Sequence, residues 1–169
     1  SDVQDPARWQ NSAGPVTHLS EELVARLAQT PRSESDYIEM YALVAHFLDV
    51  WQVSIPGADF GGIREGEHLP DIIQTDNTSE SIWVWSRYYE LTGDNQYYQN
   101  ILDAFTYSLN HPAYLEESGS TPLYGYYRMY NCGWAVTAEL KFRQVYGNNA
   151  YQAYGDSCGS YIRYNELQR

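Results

Sequence analysis

The chain has 169 residues, and its 22 Asp and Glu against 10 Lys and Arg give a formal charge of −12 and an isoelectric point near 4.5. That balance excludes a duplex-binding protein, which needs a basic face to displace counterions. At 43% hydrophobic and 19% charged residues the chain is too apolar and too lightly charged for disorder, and its length suits one domain with a sizeable core.

In chain order, Leu19, Leu23, Val24 and Leu27 predict a helix over 19–28, with Ser20 as cap and Glu21-Glu22 in its first turn. Thr30-Pro31-Arg32-Ser33 breaks it. Tyr37, Met40, Tyr41, Val44, Phe47, Leu48 and Trp51 form an apolar stripe at helical spacing and predict a second helix over 37–53. From Ser54 to Thr78, Pro56, Gly57, Gly61, Gly62, Gly66 and Pro70 punctuate the chain too densely for helix or central strand. A loop this long is often functional.

Ser79 and Glu80 open the next predicted helix, Ser81 to Leu91, which Thr92-Gly93 ends. Asp94 or Asn95 caps its successor, Gln96 to Leu109, which stops at His111-Pro112. A second long connection, Pro112 to Asn131, is rich in Gly, Ser and Tyr, and its Leu123–Tyr130 stretch also admits a short β-like segment. Asn131 is placed to cap a helix from Gly133 to Tyr146, which ends at Gly147, and Asn148 or Asn149 starts the last one, Ala150 to Leu167.

The expected architecture is therefore an all-α single domain of three helical hairpins, over about 19–53, 79–109 and 133–167. The second and third are related by a shift of 54 residues, which places Gly93 on Gly147, Asp94 on Asn148, Tyr97 on Tyr151, Tyr88 on Phe142 and Tyr107 on Tyr161. Connections within hairpins are short and those between them long, so both long loops should emerge at one end, where function is expected.

No run approaches the roughly 20 apolar residues that span a bilayer. The opening Ser1-Asp2-Val3-Gln4-Asp5 has neither a basic nor an apolar leader region. A soluble chain is expected, with an extracellular or periplasmic location favoured. Cys132 and Cys158 form no metal motif or disulfide framework, but would pair if their helices were adjacent, which would point to an oxidising compartment. Asn77-Thr78-Ser79 matches a glycosylation acceptor.

The stretch Ile82-Trp83-Val84-Trp85-Ser86-Arg87-Tyr88-Tyr89-Glu90-Leu91-Thr92-Gly93-Asp94-Asn95-Gln96-Tyr97 resembles the hairpin motif of α/α toroid proteins, the six-hairpin glycosidase-like group. There an aromatic-rich inner helix ends in Thr-Gly-Asp and a Tyr shortly precedes the outer helix. Val145-Tyr146-Gly147-Asn148-Asn149-Ala150-Tyr151 is similar. The group includes glycoside hydrolases, unsaturated glucuronyl hydrolases, polysaccharide lyases and sugar epimerases. The resemblance implies a carbohydrate ligand. A full toroid holds more hairpins than the three read here, which leaves room for a fragment, an open arc or a homodimer. In a two-fold pairing, Tyr37, Tyr41 and Phe47 would meet Tyr154, Tyr161 and Tyr164.

In toroid hydrolases acids lie at the mouth, near the ends of inner helices, so Asp76 and Glu80 resemble a catalytic acid and its companion. Glycoside hydrolysis needs two carboxyls about 5 to 10 Å apart, one protonated and one ionised, and a four-residue separation at a helix start suits that. The competing reading makes Thr78 or Ser79 a helix cap and Glu80 a charge favoured by the helix's positive end. Trp83 and Trp85 lie too far apart around their helix to face one cavity, so one belongs to the core.

Among the loop charges Asp59, Arg64, Glu65, Glu67 and His68, Arg64 suits a uronate or sulfate. Tyr124, Tyr126, Tyr127 and Asn131, with Tyr114 and Tyr130, suggest an aromatic platform for sugar rings. Trp83 completes the predicted substrate contacts. No metal motif or phosphate-cradling loop occurs, His18, His46 and His111 are isolated, and no cofactor is expected. A non-catalytic glycan- or protein-binding assembly module is the alternative to an enzyme.

Overall fold

The computed structural model describes residues 33–66, 69–115 and 126–166. The predicted helix over 19–28 lies outside the described residues, as do Tyr124, Glu67 and His68. The chain divides into two compact units, Ser1–Met40 and Tyr41–Arg169.

Helix α1 spans Glu34–Trp51 and starts earlier than the apolar stripe predicts. Ser33 and Asp36 form a reciprocal cap: the Ser33 N–H donates to Asp36 Oδ2 at 2.7 Å, and the Asp36 N–H donates to Ser33 Oγ at 3.3 Å. After α1 comes a short antiparallel hairpin, β1 (Ile63–Arg64) with β2 (Ile73–Gln74), in which Ile63 faces Gln74 and Arg64 faces Ile73. The glycine-rich segment thus holds an ordered hairpin where the sequence predicts only loop.

Tertiary bonds fix that segment. Val53 and Gly62 join through a 2.9 Å backbone bond, and Gly61 N–H donates to Val53 O at 2.9 Å. Gln52 Nε2 reaches both Gly61 O and Asn100 O at 2.9 Å. The Tyr107 hydroxyl donates to Ile73 O at 3.0 Å, and the His111 ring contacts Ala58 O at 2.9 Å. Gly61 has a left-handed φ of 86° and lies where a Cβ would come within 1.8 Å of the Asp103 carbonyl oxygen. Only glycine permits that approach to the neighbouring helix.

Helix α2 covers Thr75–Thr92, α3 Tyr98–Asn110, α4 Tyr126–Tyr146 and α5 Gln152–Glu166. Apart from β1 and β2, the described regular structure is helical, so the protein is all-α. The predicted starts of helices α2 to α5 all need correction, that of α5 from Ala150 to Gln152. Helix α2 starts at Thr75, so Thr78 and Ser79 lie inside its first turns, and its N-cap is Gln74 without a side-chain cap bond. Helix α4 starts at Tyr126, so Asn131 is an interior helix residue and not a cap, and residues 126–130 are helix and not strand. Helix α3 begins two residues late because Asp94 first makes a turn, accepting the Gln96 N–H at 3.0 Å.

The 54-residue repeat is physical. Gly93 and Gly147 are both left-handed, with φ of 72° and 63°, and each closes its helix through a backbone bond, to Tyr89 O at 2.8 Å and Arg143 O at 2.9 Å. Asp94 accepts from the N–H two residues on, and Asn148 does the same with Ala150 at 2.9 Å. Tyr88 meets Tyr97 edge-on at 5.2 Å, and their counterparts Phe142 and Tyr151 meet at 5.6 Å.

The main core gathers Ala45, Ile63, Ile82, Trp85, Tyr88, Tyr97, Ile101, Ala104, Phe105, Ala138 and Phe142. Trp85 is the core tryptophan of the pair. It is fully buried and its indole donates to Ala45 O at 2.9 Å. The principal packing is of α2 against α4, with α3 on α2 and α5 on α4. Tyr130 bonds Glu80 and Lys141 bonds Glu90, so a ten-residue advance along α2 matches an eleven-residue advance along α4. The two helices therefore run parallel and begin at the same end.

Candidate functional site

That shared end holds the acidic pair. Asp76, Glu80 and Trp83 follow one another at i, i+4 and i+7 along α2 and so lie on one helix face. One-turn spacing sets the Cβ atoms of Asp76 and Glu80 about 5–6 Å apart. Both carboxyls are partly buried. Glu65, just past β1, accepts the Asn77 side-chain amide at 2.8 Å and brings a third negative charge to the cluster.

Burial is the main reason the Asp76 pKa lies above the ordinary carboxylate value. The Asn77 backbone N–H, which donates to Asp76 Oδ1 at 2.8 Å, opposes the rise, and the charge of Glu65 adds to it. Glu80 is also raised, first by burial and then by the Asp76 charge, while a bond from the Tyr130 hydroxyl at 3.3 Å favours its ionised form. Tyr130 in turn accepts a hydrogen bond from the Trp134 indole, which lowers its pKa. Desolvation and the charges of Glu80 and Asp76 outweigh that bond and leave the phenol raised. Trp134 is the participant the sequence pattern did not single out. Its four-residue spacing from Tyr130 carries the signal once α4 is known to begin at Tyr126.

Thr78 is structural: its hydroxyl donates to Gln74 O at 2.8 Å and accepts the Ile63 N–H at 3.0 Å, which fixes β1 to α2. Beside it, the Ser79 hydroxyl is buried without a hydrogen-bond partner. Trp83 is half-buried and packs against the main core. Arg64 donates to the Pro70 carbonyl at 2.6 Å and so ties the two arms of the hairpin. Asn131 is 1% exposed, so its side chain belongs to the interior of the α4 packing. The side chains of Tyr126 and Tyr127 lie outside the described residues.

A cleft of about 500 Å³ lies away from the acids, between α4 and α5, lined by Val136, Glu139, Leu140, Arg143, Gly155 and Gly159 among others. Its floor carries Glu139, 3% exposed, held by Arg143 through bonds of 2.9 and 3.3 Å. The geometry around Asp76 and Glu80 is chemically distinctive, whereas this cleft has a satisfied ion pair. Of the residues expected in a two-fold contact, Tyr37, Phe47 and Tyr164 are exposed, but Tyr154 is buried.

Among the described residues there is no group of three or more His, Cys, Asp or Glu arranged for a metal ion, and no helix is long and apolar enough to cross a membrane. No protein-family model matches the chain, and no curated protein or solved structure matches it. The class defined by fold and site is an all-α protein of parallel-stacked hairpins with an acidic cluster at the helix N-termini.

Proposed function

We propose that this is a carbohydrate-active protein of the α/α toroid type, a glycoside hydrolase-like enzyme acting on an oligo- or polysaccharide. One observation carries the reading: two carboxyls on one face of α2, a single turn apart, both with raised pKa values. Asp76, held up mainly by burial, is the proton donor to a glycosidic oxygen. Glu80, whose ionised form the Tyr130 hydroxyl favours, is the base or nucleophile. Two neighbouring carboxyls that cannot both ionise freely divide acid and base roles in this way. Trp83 and the tyrosines at the start of α4 are the sugar contacts in this reading.

The test is turnover of a panel of neutral oligosaccharides and uronides, read as released reducing ends. Asp76→Asn and Glu80→Gln should each lower kcat by at least about 10²-fold while the circular dichroism spectrum is retained. Full activity in both variants refutes the assignment.

A second reading, an assembly module, draws on α1. Leu43, Val44, Phe47 and Val50 are 48–61% exposed along it, and such a face suits a partner chain. Glycan binding by a chain without hydrolytic turnover would favour that reading.

A further inference from the structure

Helices α4 and α5 are closely packed, and a second, smaller apolar cluster lies between them: Ala113, Cys132, Ala135, Tyr154 and Cys158. Both cysteines are fully buried and present as thiols, and they share a hydrogen bond with each other. Two buried thiols of one small cluster, on adjacent packed helices, are placed for the approach a disulfide requires.

Cys158 has an additional donor. The Ala113 N–H donates to the Tyr154 oxygen at 3.4 Å, which leaves the Tyr154 proton for Cys158. These two bonds, from Cys132 and Tyr154, hold the Cys158 pKa below that of an ordinary thiol although burial opposes them. The bond to Cys158, burial and the neighbouring sulfur push Cys132 up. In the closed cluster Cys158 is therefore the more readily ionised of the two thiols.

We propose that Cys132 and Cys158 are a disulfide-forming pair that staples α4 to α5. The bond forms by thiol–disulfide exchange with a small-molecule or protein disulfide as the helices dock, before the cluster closes. One of the two cysteines, once ionised, attacks one sulfur of that disulfide and expels a thiolate, giving a mixed disulfide. The other cysteine, on losing its proton to solvent, then attacks the first one's sulfur and expels the second thiolate. The chain loses two electrons and two protons, and the external disulfide is reduced to two thiols. The staple fixes the part of α4 two residues beyond Tyr130, so it braces the helix that reaches Glu80.

The experiment is refolding of the reduced, denatured full chain in mixed reduced and oxidised glutathione, followed by digestion without reductant and mass analysis. A Cys132–Cys158 linked peptide pair and the loss of both free thiols are expected. The cross-link closes a loop of about 26 residues, and the oxidised chain should melt about 7–14 °C above the same chain kept reduced. Two free thiols, glutathione adducts alone, chain-to-chain cross-links, or a linked chain that melts no higher would each overturn the proposal. Cys158→Ala should melt at one temperature with or without the glutathione couple. If that variant does not fold, the peptide map of the unaltered chain decides alone.

Discussion

Replacing Gly61 by alanine tests whether the glycine-rich segment is held against α3 as tightly as its geometry requires. A Cβ on Gly61 would lie 1.8 Å from the Asp103 carbonyl oxygen, 2.3 Å from its carbon and 3.1 Å from the Ala104 nitrogen. All three are backbone atoms inside a helix, so α3 cannot yield and the segment must retreat by about 1.6 Å to reach ordinary contact, taken as roughly 3.4 Å. Retreat puts at risk the Gly61–Val53 bond and the Gln52–Gly61 bond, each 2.9 Å and each worth about 1 kcal/mol net. The left-handed φ of 86° adds about 1–2 kcal/mol for any residue with a Cβ. The expected loss is therefore about 3–4 kcal/mol.

Two other glycines separate the contributions. Gly93 has a φ of 72° and open space around it, so Gly93→Ala should cost only the backbone term, about 1–2 kcal/mol. Gly57 has nothing within 4 Å and no left-handed φ, so Gly57→Ala should be neutral or slightly stabilising, by no more than about 0.5 kcal/mol. Urea unfolding followed by circular dichroism measures all three, with the slope held constant as the check on two-state behaviour. A Gly61→Ala protein no less stable than Gly93→Ala would refute the close approach.

The acidic pair predicts a pH dependence with a definite sign. A carboxyl whose folded pKa is raised gives stability that is complete below its unfolded pKa and lost as pH rises through the folded value. Asp76→Asn and Glu80→Gln should therefore raise the urea midpoint at about pH 7 and give no gain at about pH 3. A lowered midpoint at the higher pH would show that the charges stabilise the fold. Trp85→Phe removes the indole donor to Ala45 O and leaves a void in a fully buried position. It should cost about 2–3 kcal/mol in the same assay, and a loss under about 0.5 kcal/mol would place Trp85 outside the core.

The helical pairing was legible because it rests on local chemistry. Glycine with a following Asp or Asn produces the same closing turn at 93–94 and 147–148 whatever surrounds it. Helix beginnings were less legible because apolar periodicity marks where a helix is buried, and not where it starts. The first turn of α2 is polar, and its buried hydroxyls find partners far along the chain: Thr75 donates to His111 O at 3.0 Å, and Thr78 accepts from Ile63. Those partners belong to segments that sequence spacing does not bring together. The β1–β2 hairpin was hidden for the same reason, since its two-residue strands are held by Tyr107 and Thr78 more than by any alternating pattern of their own. At the site, Asp76 and Glu80 were legible from their spacing, while Glu65, Tyr130 and Trp134 acquire their roles only through the packing of β1 and α4 on α2.

That packing also separates the two meanings of an acid at a helix start. An ordinary N-terminal acid satisfies free N–H groups and gains about 0.3–1 kcal/mol from the helix dipole, both of which lower its pKa. Asp76 makes such a bond, with Asn77, and sits at the positive end of α2, yet its pKa is raised. Burial and the charge of Glu65 therefore exceed the effect of its backbone hydrogen bonds. Glu80, one turn further in, is raised by burial and by Asp76 itself. A capping device has no use for a second carboxyl on the same face, a third across the hairpin and a phenol from a parallel helix. In the proposed acid–base chemistry each of them has a role, because crowded, partly buried carboxyls hold a proton more readily than free ones.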